Sequence, residues 1–204
     1  PFELTALAID VDGDALTYSW EQFDSGASRT LEGPEAADTG VGALFRIFPP
    51  TSSGTRTFPR LADLLSGVPT PGEQLPSFTG VTRRFRCVVR DNHPGVGGSV
   101  ISPFTDLVIA VDAPPFAITS PIAGASLAPG ANTITWTVGT TNAAPISCPS
   151  VTIRFSSDNG ASFTTLGSVP NTGSAVIQLP GPTSSARLRI DADHALRLGW
   201  QIGE

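Results

Sequence analysis

Three carboxylates close together are the feature of this sequence with the most direct chemical meaning. Asp10, Asp12 and Asp14 occupy alternate positions around Gly13, a composition that favours a tight turn. Clustered carboxylates suit a hard cation, because Ca²⁺ takes about six to eight oxygen ligands. The turn is therefore a candidate Ca²⁺ site.

Two loop geometries could complete such a site. Read as an EF-hand loop, Asp10 takes position 1 and Glu21 position 12, but position 6 is Ala15 instead of Gly and a strand follows. A cadherin-like site fits better, with a distant ligand such as Asp91, or Asp112 as an alternative. The predicted Ca²⁺ ligands are Asp10, Asp12, Asp14 and Asp91. The competing interpretation is a solvated turn whose Asp side chains accept hydrogen bonds from their own backbone amides.

Histidine content argues against peptidase chemistry. A zinc peptidase needs histidines at a fixed helical spacing, as in His-Glu-x-x-His. The sequence has two histidines, His93 and His194, and neither stands at that spacing. Gly-x-Ser-x-Gly is absent as well. We therefore predict no zinc, no catalytic residues and no enzymatic activity.

Strands must position the acidic turn. Leu16, Tyr18 and Trp20 alternate with polar residues, which predicts a strand with one buried face directly after the turn. Thr82–Asn92 alternates in the same way and places Cys87 towards the core. Its arginines then form one solvated face that pairs with nearby Asp and Glu, or alternatively a polyanion site: Arg83, Arg84, Arg86 and Arg90.

The remaining pattern predicts an all-β protein of two tandem β-sandwich domains, residues 1–113 and 114–204. In the first, Phe2–Ile9 and Leu44–Phe48 are strands, and a long loop insertion between Pro49 and Thr82 holds a short helical stretch, Leu61–Leu65. In the second, short alternating strands and the turn Ser157–Gly160 are typical of an immunoglobulin- or fibronectin-III-like sandwich. Its last strand is placed at Leu196–Ile202.

The cysteines and tryptophans leave further alternatives. Cys87 and Cys148 are either two buried thiols or one bridge between the domains. Trp20 and Trp136 share a face with other apolar residues, which favours the core over sugar stacking, whereas Trp200 fits either role.

Charge and hydropathy exclude two classes of partner. The net charge of −6 argues against nucleic acid, which requires a basic surface. No apolar run approaches the ~20 residues of a membrane span. The sequence has no Met, so we expect an excerpt of a longer precursor.

The order of the motifs resembles a known accessory region. Asp-x-Asp-Gly-Asp-x-Leu-Thr-Tyr-x-Trp-Glu-Gln-Phe-Asp at Asp10–Asp24, Leu-Phe-Arg-Ile-Phe-Pro-Pro at Leu44–Pro50 and Phe-Arg-Cys-Val-Val-Arg-Asp-Asn at Phe85–Asn92 are similar to the region after the catalytic domain of secreted bacterial reprolysin-like zinc metallopeptidases. The segments Thr133–Val138 and Cys148–Ile153 resemble its second module. The resemblance implies a PKD/cadherin-like module followed by an Ig-like one, with any zinc-peptidase domain outside this chain.

These observations predict a non-catalytic pair of accessory modules of a large secreted or cell-surface protein, acting as spacer, adhesion or substrate-docking unit. Its expected location is extracellular, and its expected partners are other domains of the same precursor and a surface polysaccharide or protein. The alternative is a structural subunit of an extracellular fibre or surface layer. In either case we expect the first domain to lack the edge strand that usually precedes Phe2–Ile9 in such a sandwich. In the alternative, this open edge pairs with a neighbouring chain.

Overall fold

The computed structural model describes residues 1–28, 30–33, 36–111, 114–181, 185–193 and the backbone of 201–202. Over these residues the chain is mostly β with several antiparallel sheets, as an all-β protein requires. It divides into two compact units, the first from Pro1 to Val111 with the terminal strand, the second described between 114 and 193. The assignment of these units as PKD/cadherin-like (1–113) and Ig-like (114–204) sandwiches stays a prediction.

The central sheet of the first unit is built on its longest strand. The sheet contains β3 (Leu16–Gln22), β5 (Thr82–Asp91), β6 (Ser99–Ile101) and β7 (Thr105–Val108). β3 pairs antiparallel with one edge of β5, where Trp20 lies opposite Cys87, and β6 and β7 pair with the other edge. The predicted alternation on β5 is confirmed for Cys87, which is buried. The sequence analysis did not predict β6.

The first segment of the chain has a partner that the sequence analysis did not assign. Residues predicted as one strand, Phe2–Ile9, form β1 (Phe2–Thr5) and β2 (Leu7–Ala8). β1 pairs antiparallel along its whole length with β4 (Thr55–Phe58), which lies inside the insertion expected to be loop. Phe58 is fully buried and stacks on Phe2 with ring centroids 4.9 Å apart, so burial of aromatic surface favours this pairing.

Among the described residues, the rest of the insertion is ordered by one helix and two isolated bridges, one of them from Thr51 to Tyr18. α1 (Leu61–Ser66) confirms the predicted helical stretch and ends at Gly67, whose φ of 70° suits glycine. The predicted strand Leu44–Phe48 is not formed: Phe45 makes an isolated bridge to Glu73 instead.

The last described strand differs from its predicted place. β14 (Gln201–Ile202) pairs in parallel with β2 of the first unit, not with a strand of the second. Most of the predicted strand, residues 196–200, lies outside the described residues.

The second unit consists of two three-stranded antiparallel sheets. One has the order β12–β9–β8, and the other β11–β10–β13. Their bounds are β8 Ala117–Ser120, β9 Gly130–Thr137, β10 Ser150–Ser156, β11 Thr164–Pro170, β12 Ser174–Leu179 and β13 Arg187–Ala192. The predicted turn between β10 and β11 is confirmed, because Asn159 and Gly160 have φ of 60° and 92°.

Each unit has its own hydrophobic core around a buried tryptophan. In the first, the Trp20 indole N–H donates to the Gly54 carbonyl at 2.8 Å. In the second, the Trp136 indole N–H donates to Asn171 Oδ1 at 2.9 Å. Both rings are 3% exposed, so the prediction that they are core residues is confirmed.

Candidate functional site

The acidic turn is held by one of its own carboxylates. Asp10 Oδ1 accepts the backbone N–H of Asp12 at 3.0 Å and that of Asp14 at 2.9 Å. Gly13 has a φ of 83°, which a glycine adopts without strain. This is the geometry of the competing interpretation, a turn whose Asp side chain satisfies backbone amides.

A second pair of contacts ties this turn to the loop after β5. His93 Nδ1 lies 2.8 Å from Asp14 Oδ2, and the backbone N–H of His93 donates to Asp91 Oδ1 at 2.7 Å. Asp91 also lies opposite Leu16 in the β3–β5 pairing. Asp10 and Asp91 also both line a cleft of about 300 Å³.

The described carboxylates provide part of what a Ca²⁺ ion needs. Asp10, Asp14 and Asp91 each already use one oxygen in a hydrogen bond to a nitrogen. Within the described residues, no three His, Cys, Asp or Glu side chains are grouped as a metal site. The alternative donor Asp112 lies outside those residues. A Ca²⁺ site at Asp10, Asp12, Asp14 and Asp91 therefore stays a prediction, and it requires the turn to rearrange.

The predicted arginine face of β5 is divided between the interior and the surface. Arg83 is buried and forms an ion pair with Asp38, Nη2 to Oδ1 at 2.7 Å, contrary to the predicted solvated position. Arg84 and Arg86 point outward and pair with acids, as predicted. Arg90 is half-buried. The sequence missed Arg83 because its counterion lies 45 residues away in a turn-rich segment.

The outward arginines belong to a surface that the sequence analysis did not identify. We call it the Phe23–Phe104 patch, formed by Glu21, Phe23, Arg84, Arg86, Phe104 and Asp106. The two phenyl rings lie with centroids 5.1 Å apart, and they are 52% and 43% exposed. The Arg86 guanidinium lies 4.4 Å from the centroid of the Phe23 ring, and the Arg84 guanidinium 5.1 Å from that of Phe104. Rings and guanidinium groups thus form a continuous row.

Each arginine of this patch is neutralised by an acid. Arg84 Nε and Nη2 donate to the two carboxylate oxygens of Asp106 at 2.8 and 3.0 Å. Arg86 Nε donates to Glu21 Oε2 at 3.0 Å. The two-point pairing of Arg84 raises its pKa and lowers that of Asp106, so both groups are charged at neutral pH.

The two rings reach the surface because side chains alternate between the two faces of a strand. Phe23 continues the outward register of β3 after Glu21, and its backbone N–H donates to the Arg84 carbonyl at 2.7 Å. Phe104 stands in the same phase as Asp106, which is exposed between the buried Thr105 and Leu107. An aromatic residue in the polar phase of a strand was the available sequence signal, whereas the analysis considered sugar stacking only for tryptophans.

A shallow cleft borders the patch. It has a volume of about 330 Å³, and Phe23, Asp24 and Arg84 line it together with Gly40–Gly42. Arg83 also lines the cleft, and its Nη1 donates to the Gly42 carbonyl at 3.0 Å. The buried ion pair thus helps to hold Gly42 in place.

The two cysteines singled out by sequence lie in the hydrophobic cores, apart from these sites. Cys87 and Cys148 are free, buried thiols, each in the core of its own unit. Burial raises the pKa of the Cys87 thiol to about 11. His194 and Trp200 lie outside the described residues.

The comparisons with known proteins assign no family. Within the described residues, no helix is both long and apolar enough to cross a membrane. No protein-family model, curated protein or solved structure matches the chain.

Proposed function

We propose that this chain is a non-catalytic pair of β modules from a large secreted or cell-surface protein, and that it docks that protein to an extracellular surface. The observation that carries the proposal is the Phe23–Phe104 patch. Its two half-exposed rings lie on a sheet whose opposite face is the core of the unit. Exposed aromatic rings beside arginines are enriched where proteins bind partners.

The interior of each unit supports a docking role over a catalytic one. Each unit buries its own core, which suits a module that keeps its shape within a longer chain. The ionisable groups brought together in the first unit serve as turn caps and ion pairs: Asp10 holds the acidic turn, Asp38 neutralises Arg83 and Asp106 neutralises Arg84. The proposal includes the accessory region of reprolysin-like peptidases as the parent context.

Co-sedimentation tests this function. The 204-residue chain is mixed with insoluble polysaccharides and with insoluble fibrous proteins, and the pelleted fraction is measured. The supernatants are assayed for released reducing ends and peptides. We expect retention on at least one surface without release of either product. Release of product, or retention on none of the surfaces, contradicts a non-catalytic docking role.

In the same assay, Phe23→Ala tests the patch and Phe163→Ala is the matched control. Phe163 also lies beneath a guanidinium, that of Arg189 at 5.9 Å, but belongs to the second unit. Retention should fall for the first variant and remain for the second. Equal retention of both variants would place the docking surface elsewhere.

A further inference from the structure

We infer that the Phe23–Phe104 patch binds a neutral, hydroxyl-rich polysaccharide chain. The inference rests on the proposed docking role and names the ligand class of the same surface. Three properties of the patch lead to it: its charge balance, the exposure of its rings and its small apolar area.

Charge balance disfavours an ionic ligand. Arg84 and Arg86 are matched by Asp106 and Glu21 within hydrogen-bonding distance. A polyanion would have to displace a carboxylate from the two-point pair of Arg84, and a polycation would have to displace the arginine. A neutral ligand leaves both pairs intact. Its hydroxyl groups can donate to the outer lone pairs of Asp106, which is exposed, and of Asp24, which is half-buried and lines the adjoining cleft.

Ring exposure suits a sugar unit. A pyranose ring has an apolar face of C–H groups that packs on an aromatic ring, while its hydroxyls point outward to polar neighbours. Phe23 and Phe104 pack against each other, with centroids 5.1 Å apart and ring planes at 37°, and the two residues remain 52% and 43% exposed. One sugar unit can therefore pack on the exposed side of this ring pair. The cleft beside Phe23 and Asp24, about 330 Å³, gives the next unit of the chain room.

The small exposed apolar area of the patch argues against a stable protein partner. A specific protein interface buries about 800 Å² on each side around a large apolar centre. Here two partly exposed rings are enclosed by two ion pairs, so the apolar centre is narrow. A polysaccharide needs only a strip one chain wide and gains affinity from repeated units.

Affinity electrophoresis of the whole chain tests the ligand class. Native gels are cast with hydroxyethyl cellulose, xylan or laminarin as neutral probes and with dextran sulfate as the polyanion. We expect at least one neutral probe to retard the wild type. Phe23→Ala and Phe104→Ala should each weaken this by about fivefold, whereas the control Phe163→Ala should migrate with the wild type.

Two further variants separate stacking from general hydrophobicity. Phe23→Leu keeps most of the apolar area but removes the flat ring face, so it should lose as much polysaccharide affinity as Phe23→Ala. Phe23→Trp keeps a flat face and should retain binding. Circular dichroism and thermal melting of every variant exclude loss of fold as the cause.

The outcomes distinguish this inference from the docking role on which it rests. Retardation by dextran sulfate alone, or by neutral probes equally in wild type and Phe23→Ala, overturns the ligand assignment. Sedimentation with fibrous protein that Phe23→Ala abolishes, without retardation by any neutral probe, overturns the assignment and leaves docking intact. Absence of binding to every probe and surface removes both.

Discussion

Arg83 and Asp38 form an ion pair that is completely enclosed by the first unit. The distance from Arg83 Nη2 to Asp38 Oδ1 is 2.7 Å, and the two side chains are 1% and 0% exposed. Asp38 also accepts the backbone N–H groups of Gly40 and Ser77, both at 2.8 Å. One carboxylate thereby fastens two irregular segments to the beginning of β5, beside the cleft of the Phe23–Phe104 patch.

Removal of this buried charge should strongly destabilise the protein. In Asp38→Asn the guanidinium of Arg83 stays buried without a counterion, and we expect a loss of about 3–5 kcal/mol in the free energy of unfolding. Urea denaturation followed by tryptophan fluorescence measures it. The control is Asp106→Asn, which breaks the exposed pair with Arg84 and should leave the midpoint nearly unchanged. Equal effects of the two substitutions would contradict the structural role of burial.

The same carboxylate should contribute to acid sensitivity. Burial opposes ionisation of Asp38, but hydrogen bonds from Ser77 and Gly40 and the charge of Arg83 outweigh it, so its pKa lies below the usual 3.8. Because the pKa of Asp38 is lowered in the folded state, its ionised carboxylate stabilises the protein at pH values above 3.8, and this stabilisation is lost as the pH falls through the lowered pKa. We therefore expect the free energy of unfolding to decrease as the solution is acidified below pH 3.8.

Two variants check the sign of this pH dependence. Asp38→Asn, although less stable, should show a shallower fall in acid than the wild type. Glu73 behaves oppositely, because desolvation raises its pKa despite the nearby Arg56. Protonation of Glu73 therefore favours the folded state, and Glu73→Gln should show a steeper fall. Denaturation midpoints between pH 7 and pH 2 give all three slopes, and parallel slopes would refute the assignment.

The sequence could predict what depends on local alternation. Cys87 on β5 and the Asn159–Gly160 turn were predictable because side chains alternate along a strand and few residues tolerate positive φ. The pairing of β1 with β4 was not, since Thr55–Phe58 is a short run within a Pro- and Gly-rich segment. Its buried position depends on contacts between aromatic rings that are about 50 residues apart.

The candidate sites likewise combine features that local sequence predicts with features that depend on the folded backbone. The acidic turn was visible from composition, but whether its carboxylates cap amides or face a cation depends on backbone geometry that spacing does not determine. The Phe23–Phe104 patch combines residues of β3, β5 and β7 and of the segments that adjoin them, which only the sheet brings together. Its local sign in the sequence was that Phe23 and Phe104 each continue the exposed, polar phase of a strand.

Gly54 should be irreplaceable at the junction of β1 and β4. A Cβ at this position would lie 2.0 Å from the Ala6 carbonyl oxygen, a backbone atom, so the strands would have to separate. The Gly54 carbonyl also accepts the Ala6 N–H at 3.0 Å and the Trp20 indole N–H. We expect Gly54→Ala to lower the melting temperature markedly. Gly98→Ala, where a Cβ meets nothing within 4 Å, is the matched control; similar melting temperatures for both variants would argue against the close approach.

Both thiols should resist modification until the protein unfolds. Each lies in the core of a different unit, and the raised pKa of Cys87, about 11, leaves almost no reactive thiolate at neutral pH. Iodoacetamide should add nothing to the native protein and two groups after unfolding without reductant. Intact mass spectrometry counts the adducts. A mass two hydrogens low, with no adduct after unfolding, would instead demonstrate a disulfide.

Calcium should bind at the acidic turn only by displacing contacts that the structure already contains. Asp14 would have to release His93, and Asp91 would have to turn its free oxygen towards Asp10. Binding would then stabilise the folded state by mass action, by about 2.7 kcal/mol at a Ca²⁺ concentration 100 times the dissociation constant.

Melting curves in Ca²⁺ and in chelator decide between the two interpretations of this turn. If it is a Ca²⁺ site, the wild type should melt higher in Ca²⁺, whereas Asp12→Asn should lose the difference. His93→Ala is the informative companion, because it frees Asp14 from its contact and should enlarge the Ca²⁺ effect by lowering the cost of rearrangement. Identical midpoints in Ca²⁺ and chelator for all three proteins would leave Asp10 as a turn cap. In that case the acidic turn serves only to lead the chain from β2 into β3.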